Sequence, residues 1–198
     1  GQYGQVDLVT TTQGLLFPID ALSISEAIFR FVMSDEIDNK SVLSNGAITA
    51  FFSYVCTFFV ACVINVFLKW EYMYWMLGLL ASSMVYDILT NYLKANHNSK
   101  KYVAIGVLYT IINLSGNILF LVVFRLEVKG FLLALIFSYL MPSILIFFKE
   151  KIYKQIRVFY VDKKLAQRML RYSLPLIFTS LSWWIVTSSD KYMLRYFM

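Results

Sequence analysis

Ionisable residues stand out in this chain because they interrupt segments that are otherwise apolar. Glu26 and Arg30 lie four residues apart in one such segment. With Ser23 they follow helical spacing, so a helix would carry all three on one face. Two interpretations stay open. Either Glu26 and Arg30 neutralise each other as a structural ion pair, or Glu26 holds Arg30 in a cavity where its guanidinium binds an anionic substrate.

A second apolar segment contains the carboxylate Asp87, on a polar stripe that includes Asn91. Its own segment offers one cation, Lys94, seven residues further on and near the segment's end. Asp87 therefore pairs across helices, with Arg30 as the candidate partner, or it sits in water. In the second case it is a candidate for coupling transport to protons or sodium ions.

Uncharged polar residues follow a helical spacing in a third apolar segment, which contains Asn113 and Asn117. Such a stripe either joins two helices by hydrogen bonds or lines a polar path. The last segment runs through Trp183 to Asp190 and Lys191. Asp190 is either an anchor at the outer leaflet or a residue of a cavity near its outer mouth.

The sequence lacks the motifs that enzymes and metal proteins use. It has no glycine-rich phosphate loop, no His/Cys cluster and no nucleophile–base pair at suggestive spacing. Its single histidine, His97, is predicted to lie in a short loop. Cys56 and Cys62 would project to different sides of one helix, which favours neither a disulfide nor a metal site. We expect no cofactor, no metal site and no enzymatic activity.

The elements that must position these residues are membrane-spanning helices. No charged residue occurs in 41–68, 102–124, 130–148 or 172–189. A helix needs about 20 mostly apolar residues to cross the hydrocarbon core of a bilayer. The composition agrees, because 59% of residues are hydrophobic and 15% are charged, against about 25% charged in soluble domains. The sequence therefore predicts an all-α integral membrane protein.

Six transmembrane helices are predicted once two segments with internal charges, 8–33 and 72–92, are added. The others are 43–68, 102–124, 130–148 and 172–198. Lysine and arginine concentrate in the loops that follow the first, third and fifth spans. Basic loops stay in the cytoplasm, so Gly1 is predicted to lie outside. The chain has neither an initiator Met nor a polar tail after Met198, and we expect a fragment of a longer multi-pass protein.

The loop 149–171 holds eight basic residues. Ile152, Ile156 and Phe159 recur in it at helical spacing, and Asp162 is predicted to cap a second short helix. The loop is either an interfacial helix that grips anionic lipid headgroups or a cytoplasmic linker between two halves. Nucleic-acid binding is not predicted, because most of the basic excess follows the membrane topology.

Four segments of the sequence resemble bacterial polysaccharide flippases of the multidrug/oligosaccharidyl-lipid/polysaccharide exporter superfamily. They are Tyr3-Gly4, the segment 26–31 (EAIFRF) and the segments 171–176 (RYSLPL) and 188–192 (SSDKY). The resemblance implies a two-lobe transporter of twelve to fourteen helices, of which this chain would be the second to seventh. Residues 1–148 would then form the N-terminal lobe, 149–171 the connector and 172–198 the first helix of the C-terminal lobe.

The resemblance also implies a substrate and a location. The substrate would be an undecaprenyl-pyrophosphate-linked oligosaccharide, moved across the bacterial inner membrane by alternating access for O-antigen, capsule or exopolysaccharide synthesis. Polysaccharide polymerases or glycosyltransferases would be possible partners, besides membrane lipids. Arg30 is the first choice for a pyrophosphate contact, with Glu26, Asn113, Asn117 and Trp183 as further substrate contacts. Asp190 and Lys191 match an acidic–basic pair of the family's seventh helix.

Three other functions compete with this prediction. One is a cation-coupled drug or metabolite exporter of the same superfamily, with Asp87 as the coupling carboxylate. Another is a membrane polysaccharide polymerase, which needs a sizeable outer loop, whereas both predicted outer loops here are short. The third is a structural membrane subunit, which would leave Arg30 without an aqueous neighbour.

Overall fold

The computed structural model of the chain describes residues 2–34, 37–156 and 160–197, with side chains for residues 4–188 of these ranges. This part of the chain is all-helical and contains no strand. Its helices are α1 (Gln2–Asp20), α2 (Ile24–Met33), α3 (Asn39–Leu68), α4 (Met73–Ala95), α5 (Ser99–Asn117, continued by π-helical turns at Ile118–Val123), α6 (Glu127–Lys149), α7 (Ile152–Gln155) and α8 (Lys163–Phe197).

Four of these helices are long and apolar enough to cross a membrane. They are α3, α4, α5 with its π-helical turns, and α6. These helices coincide with the second to fifth predicted spans, which confirms the all-helical class and the membrane-protein composition. The helices of the first and sixth predicted spans do not meet the same criterion. Polar residues interrupt the first span, and serine, threonine and tryptophan dilute the apolar character of the sixth.

The first predicted span is not one helix. The break lies at residues 21–23, where Leu22 and Ser23 adopt left-handed backbone conformations with φ of 48° and 47°. Ser23 is buried at this break, whereas Glu26 and Arg30 are exposed on α2. The prediction that Ser23 shares one helical face with them is therefore wrong, because the helix that would align the three residues begins only at Ile24.

Helix α4 occupies the centre of the bundle and contacts α1, α2, α3, α5 and α6. One apolar core joins α2, α3 and α4 to α8 and includes Ile28, Leu43 and Met169. A second core joins α1, α3, α4 and α6 and includes Val9, Leu80 and Leu132. Helix α8 lies against α1, α2 and α3. These contacts place α2 between the central helix and α8.

The outward surfaces of α3 and α5 are largely apolar. Helix α5 buries no residue within the described chain, and α3 exposes large side chains such as Phe51, Phe59 and Phe67. Water would disfavour apolar patches of this extent, whereas hydrocarbon would not. The surface therefore has the character of one that faces lipid.

The described residues of the connector 149–171, which exclude 157–159, are docked on the bundle. Ser44 donates to the Gln155 carbonyl at 3.1 Å, the Asn45 amide donates to the Tyr160 carbonyl at 3.1 Å, and the Tyr92 hydroxyl donates to Gln155 Oε1 at 2.6 Å. Ile152 and Met169 are fully buried. These apolar side chains thus pack on protein, which argues against an interfacial helix that would bury them in lipid. Phe159 lies outside the described residues.

Asp162 caps a helix as predicted. The Lys164 amide donates to Asp162 Oδ1 and the Ala166 amide donates to its carbonyl, both at 2.9 Å. The prediction of a short helix was wrong, because the capped helix is α8, which continues unbroken for 35 residues to Phe197. The predicted boundary at 171/172 therefore falls inside one continuous helix.

Candidate functional site

The candidate site is the polar face that α2, α4 and the start of α8 form together. Glu26 and Arg30 are one helical turn apart on the exposed side of α2. The opposite side of the same helix is buried through Ile24, Ala27 and Ile28. The amphipathic pattern of α2 therefore fixes which residues reach the open side.

Arg30 is held by an aromatic ring. Its guanidinium carbon lies 4.3 Å from the centroid of the Tyr172 ring, a geometry that attracts a cation to the ring face. The Tyr172 ring in turn meets the Phe31 ring edge-on at a centroid distance of 6.4 Å. Of the two ion pairs in the described part of the chain, neither involves Glu26 or Arg30. Stacking orients Arg30 and leaves its N–H donors available to an anion.

Asp87 faces the same region from α4. It is half-buried and accepts a hydrogen bond from the Asn91 amide at 3.0 Å. Ser25 and Glu26 of α2 are close enough to interact with its carboxylate. Neither Arg30 nor Lys94 forms an ion pair with it among the described residues. The expected pairing of Asp87 with Arg30 is thus not observed.

Lys94 is directed at aromatic rings instead of Asp87. Its ammonium nitrogen lies 4.8 Å from the centroid of the Phe29 ring and 5.9 Å from that of the Tyr102 ring. Together with Arg30 it makes the end of the α2–α4 face positive, whereas Glu26 and Asp87 make its middle negative. Positive and negative side chains therefore occupy different positions along the length of this face.

Three tyrosines extend this face towards α5 and α6. The ring centroids of Tyr86 and Tyr109 are 5.4 Å apart, and Tyr139 lies 5.4 Å from the first and 5.0 Å from the second. Asp87 is near enough to interact electrostatically with Tyr86 and Tyr139. Sequence reasoning missed this cluster. A signal did exist, because Tyr109 lies four residues before Asn113 on the same stripe of α5.

Asn113 and Asn117 join α5 to α6 rather than meeting Arg30. The Asn117 amide donates to Asn113 Oδ1 at 2.6 Å, and the Asn113 amide donates to the Ser138 hydroxyl of α6 at 3.4 Å. Helix α2 makes no close contact with α5 or α6 in the described chain. The hydrogen bonds of the two asparagines fit the helix-joining interpretation.

Trp183 lies apart from the other predicted residues and is 67% exposed. Its neighbour Trp184 makes the contact between helices, because its indole N–H donates to the Thr11 carbonyl of α1 at 3.0 Å. The side chains of Asp190 and Lys191 lie outside the described residues. The structure thus brings Glu26 close to Asp87, places Arg30 one turn further along α2 on the Tyr172 ring, and leaves the exposed Trp183 without a described contact to any of them.

Comparisons of the chain with protein-family models, with curated proteins and with solved structures give no match. Within the residues that the structure describes, no group of three or more His, Cys, Asp or Glu side chains could hold a metal ion. The arrangement offers an oriented guanidinium, aromatic faces, amides and carboxylates. Such a set can bind and orient a polar anionic molecule.

Proposed function

We propose that the chain is part of a flippase that carries lipid-linked oligosaccharides across the bacterial inner membrane by alternating access. In this proposal the chain crosses the membrane six times, with the loops after the first, third and fifth spans in the cytoplasm. The α2–α4 face would line the path of the polar headgroup. The diphosphate and sugars cannot cross hydrocarbon unaided, whereas a polyprenyl tail can stay in lipid.

The observation that carries the proposal is the setting of Arg30. It is an exposed cation, unpaired among the described residues and stacked on Tyr172, in a bundle whose helices α3 and α5 expose large apolar side chains. Ionisable residues at membrane depth usually face a cavity or a bundle interior and mark substrate paths. Arginine also matches the geometry of phosphate oxygens.

The aromatic and amide side chains beyond Arg30 support the choice of substrate class. The Tyr86–Tyr109–Tyr139 cluster presents half-buried rings next to Asp87. Aromatic faces and hydrogen-bonding side chains suit sugars, while the Arg30 guanidinium suits the diphosphate. A sugar chain attached to a diphosphate would meet both chemistries along this one face.

The test is Arg30→Ala in the intact protein in its host cell. We expect loss of surface polysaccharide at unchanged levels of the protein in the membrane. Arg125→Ala is the matched control, because Arg125 is also exposed but follows the far end of α5. Unaltered polysaccharide in Arg30→Ala cells would contradict the proposal.

A cation-coupled exporter of a drug or metabolite is the second candidate, and Asp87 favours it. This carboxylate is half-buried and unpaired by any described cation. Transport assays with lipid-linked oligosaccharide and with small cationic drugs distinguish the two candidates. Transport of the drugs alone, dependent on Asp87, would favour the exporter.

A further inference from the structure

Asp20, the last residue of α1, has a setting that the proposed transport path does not use. Its side chain is 1% exposed. Both carboxylate oxygens are buried and have no hydrogen-bond partner in the part of the chain that the structure describes. Buried polar atoms are almost always hydrogen-bonded, so two orphaned oxygens on one carboxylate require an explanation.

The described surroundings of Asp20 offer oxygen atoms but no cationic side chain. The Thr57 hydroxyl of α3 lies near the carboxylate without meeting hydrogen-bond geometry. Tyr54, the titratable side chain that faces it from α3, donates its hydroxyl to the Leu77 carbonyl at 3.1 Å. Among the described residues, α2, α4, α6 and α8 place no Lys, Arg or second carboxylate within electrostatic reach of it.

The helix break, which follows Asp20 directly in the chain, adds backbone carbonyl oxygens. The turn at residues 21–23 closes with hydrogen bonds to the carbonyls of Phe17, Ile19 and Ala21. The carbonyls of Pro18 and Asp20 stay outside these turn bonds. Unwound carbonyls at the C-terminal end of a half-helix are the groups that coordinate cations in transporters with broken helices. The end of a helix also carries partial negative charge, which favours a cation there.

From these observations we infer that Asp20, the Thr57 hydroxyl and the carbonyl oxygens of the 18–23 break form a binding site for a monovalent cation, either a proton or Na⁺. A carboxylate in an apolar interior must be neutralised, because an unpaired buried charge is strongly unfavourable. A bound cation provides the neutralisation that no described side chain provides. One carboxylate matches one positive charge, which favours a monovalent ion over a divalent one.

A groove on the protein surface comes close to Asp20 at Thr57. A groove of about 540 Å³ runs between α1, α3 and α4 and is lined by Thr12, Leu16 and Thr57 among other residues. Thr57 therefore borders both the groove and Asp20. In this proposal a cation exchanges between the groove and the carboxylate past the Thr57 hydroxyl.

The binding site stands without the transport proposal, whereas a role for it in driving transport rests on that proposal. The experiment is infrared difference spectroscopy on the intact purified protein in lipid, perfused with buffers of varied pH that contain NaCl or choline chloride. The readout is the carbonyl band of a protonated carboxyl group. Asp20→Asn identifies the contribution of Asp20, and Asp87→Asn is the matched control.

Two results support the site and distinguish its ions. A band that titrates with pH, disappears in Asp20→Asn and ignores Na⁺ identifies a proton site. If Na⁺ competes with the proton, the midpoint moves down by about one pH unit for each tenfold rise in Na⁺ concentration, because metal binding displaces the proton. Thr57→Ala should then weaken the Na⁺ effect and leave the band itself in place.

Two other results would overturn the site. One is a wild-type spectrum that shows an ionised carboxylate at every pH and in every Na⁺ concentration, and that loses this signal in Asp20→Asn. Asp20 would then be charged and paired. The other is a protonated band that neither pH nor Na⁺ alters, which indicates a permanently neutral acid. Neither outcome depends on polysaccharide export, so this experiment and the Arg30 test can fail separately.

Discussion

The two halves of the first predicted span place their charged residues in opposite settings. Asp20 ends α1 and is fully buried without a partner among the described residues. Arg30, ten residues later, is exposed on α2 and stacked on Tyr172. Insertion scales assign both residue types a similar cost of about 2.5–3.5 kcal/mol at the centre of a helix.

Under the two proposals, the charges of this apolar segment serve different purposes. A buried carboxylate needs a small ion that fits into the protein, whereas an exposed and supported guanidinium can meet a large ligand. The break at residues 21–23 makes both settings possible in one span, because it reorients the chain between Asp20 and Arg30. The following predictions test the contrast, from the largest expected effect to the smallest.

Arg30→Ala should reduce export at least about tenfold, because hydrogen bonds to charged groups contribute about 1.5–3 kcal/mol. The free energy of unfolding should fall by no more than about 1 kcal/mol, the usual contribution of an exposed cation–π contact such as the one with Tyr172. Measurement of surface polysaccharide and of unfolding in detergent checks both parts. Arg30→Lys should restore only part of the export, since lysine lacks the planar fork.

Gly46→Ala should lower the free energy of unfolding by disturbing the packing on the buried side of α2, without changing the exposed side of that helix. A Cβ at Gly46 would lie 2.5 Å from Cδ1 and 2.6 Å from Cγ1 of Ile28, which is fully buried. Overpacking of this kind lowers the free energy of unfolding by about 1–3 kcal/mol. Unfolding measurements on the purified variant test the expectation. Gly106→Ala is the control, because its Cβ would meet nothing within 4 Å, and an equal loss in both variants would contradict the argument.

Tyr172→Leu should remove the cation–π contact that orients Arg30. Such a contact contributes about 0.5–1 kcal/mol at an exposed site. Export should fall less than in Arg30→Ala, because the guanidinium remains but is no longer oriented. Tyr172→Phe keeps the ring face and should retain export. A loss of export in Tyr172→Phe that equals the loss in Tyr172→Leu would show that the hydroxyl, rather than the ring, matters.

Asp20→Asn should leave the free energy of unfolding within about 0.5 kcal/mol of the wild-type value in buffer without Na⁺, provided that the wild-type carboxyl is neutralised by a bound proton. The Asn side chain has nearly the same shape as the carboxyl group that it replaces. That carboxyl group has no hydrogen-bond partner among the described residues. The measurement is unfolding at several pH values. A loss of several kcal/mol would mean that Asp20 is a paired structural charge.

The four helices α3 to α6 could be predicted from the sequence because their apolar runs have the length of a bilayer crossing. The cap at Asp162 was also predictable, since capping depends on residues that are neighbours in sequence. The break at residues 21–23 was not. Leu22 and Ser23 have no glycine-like preference for left-handed backbone, so packing must impose the conformation.

Within the candidate site, the sequence identified Arg30, Glu26 and Asp87 because charges in apolar segments are conspicuous. It could not foresee that Tyr86, Tyr109 and Tyr139 meet, since they lie on three different helices. It also could not distinguish the orphaned Asp20 from the hydrogen-bonded Asp87.

The amino-acid sequence by itself determined the helical class, the lengths of the apolar segments and the presence of ionisable residues within them, because these properties depend on residue type and local order. Tertiary structure alone decided which of those residues are buried, which are exposed and which have partners. Burial and pairing depend on which faces of distant helices meet. For Asp20 and Arg30, two charges in one apolar span, that packing produced two different environments.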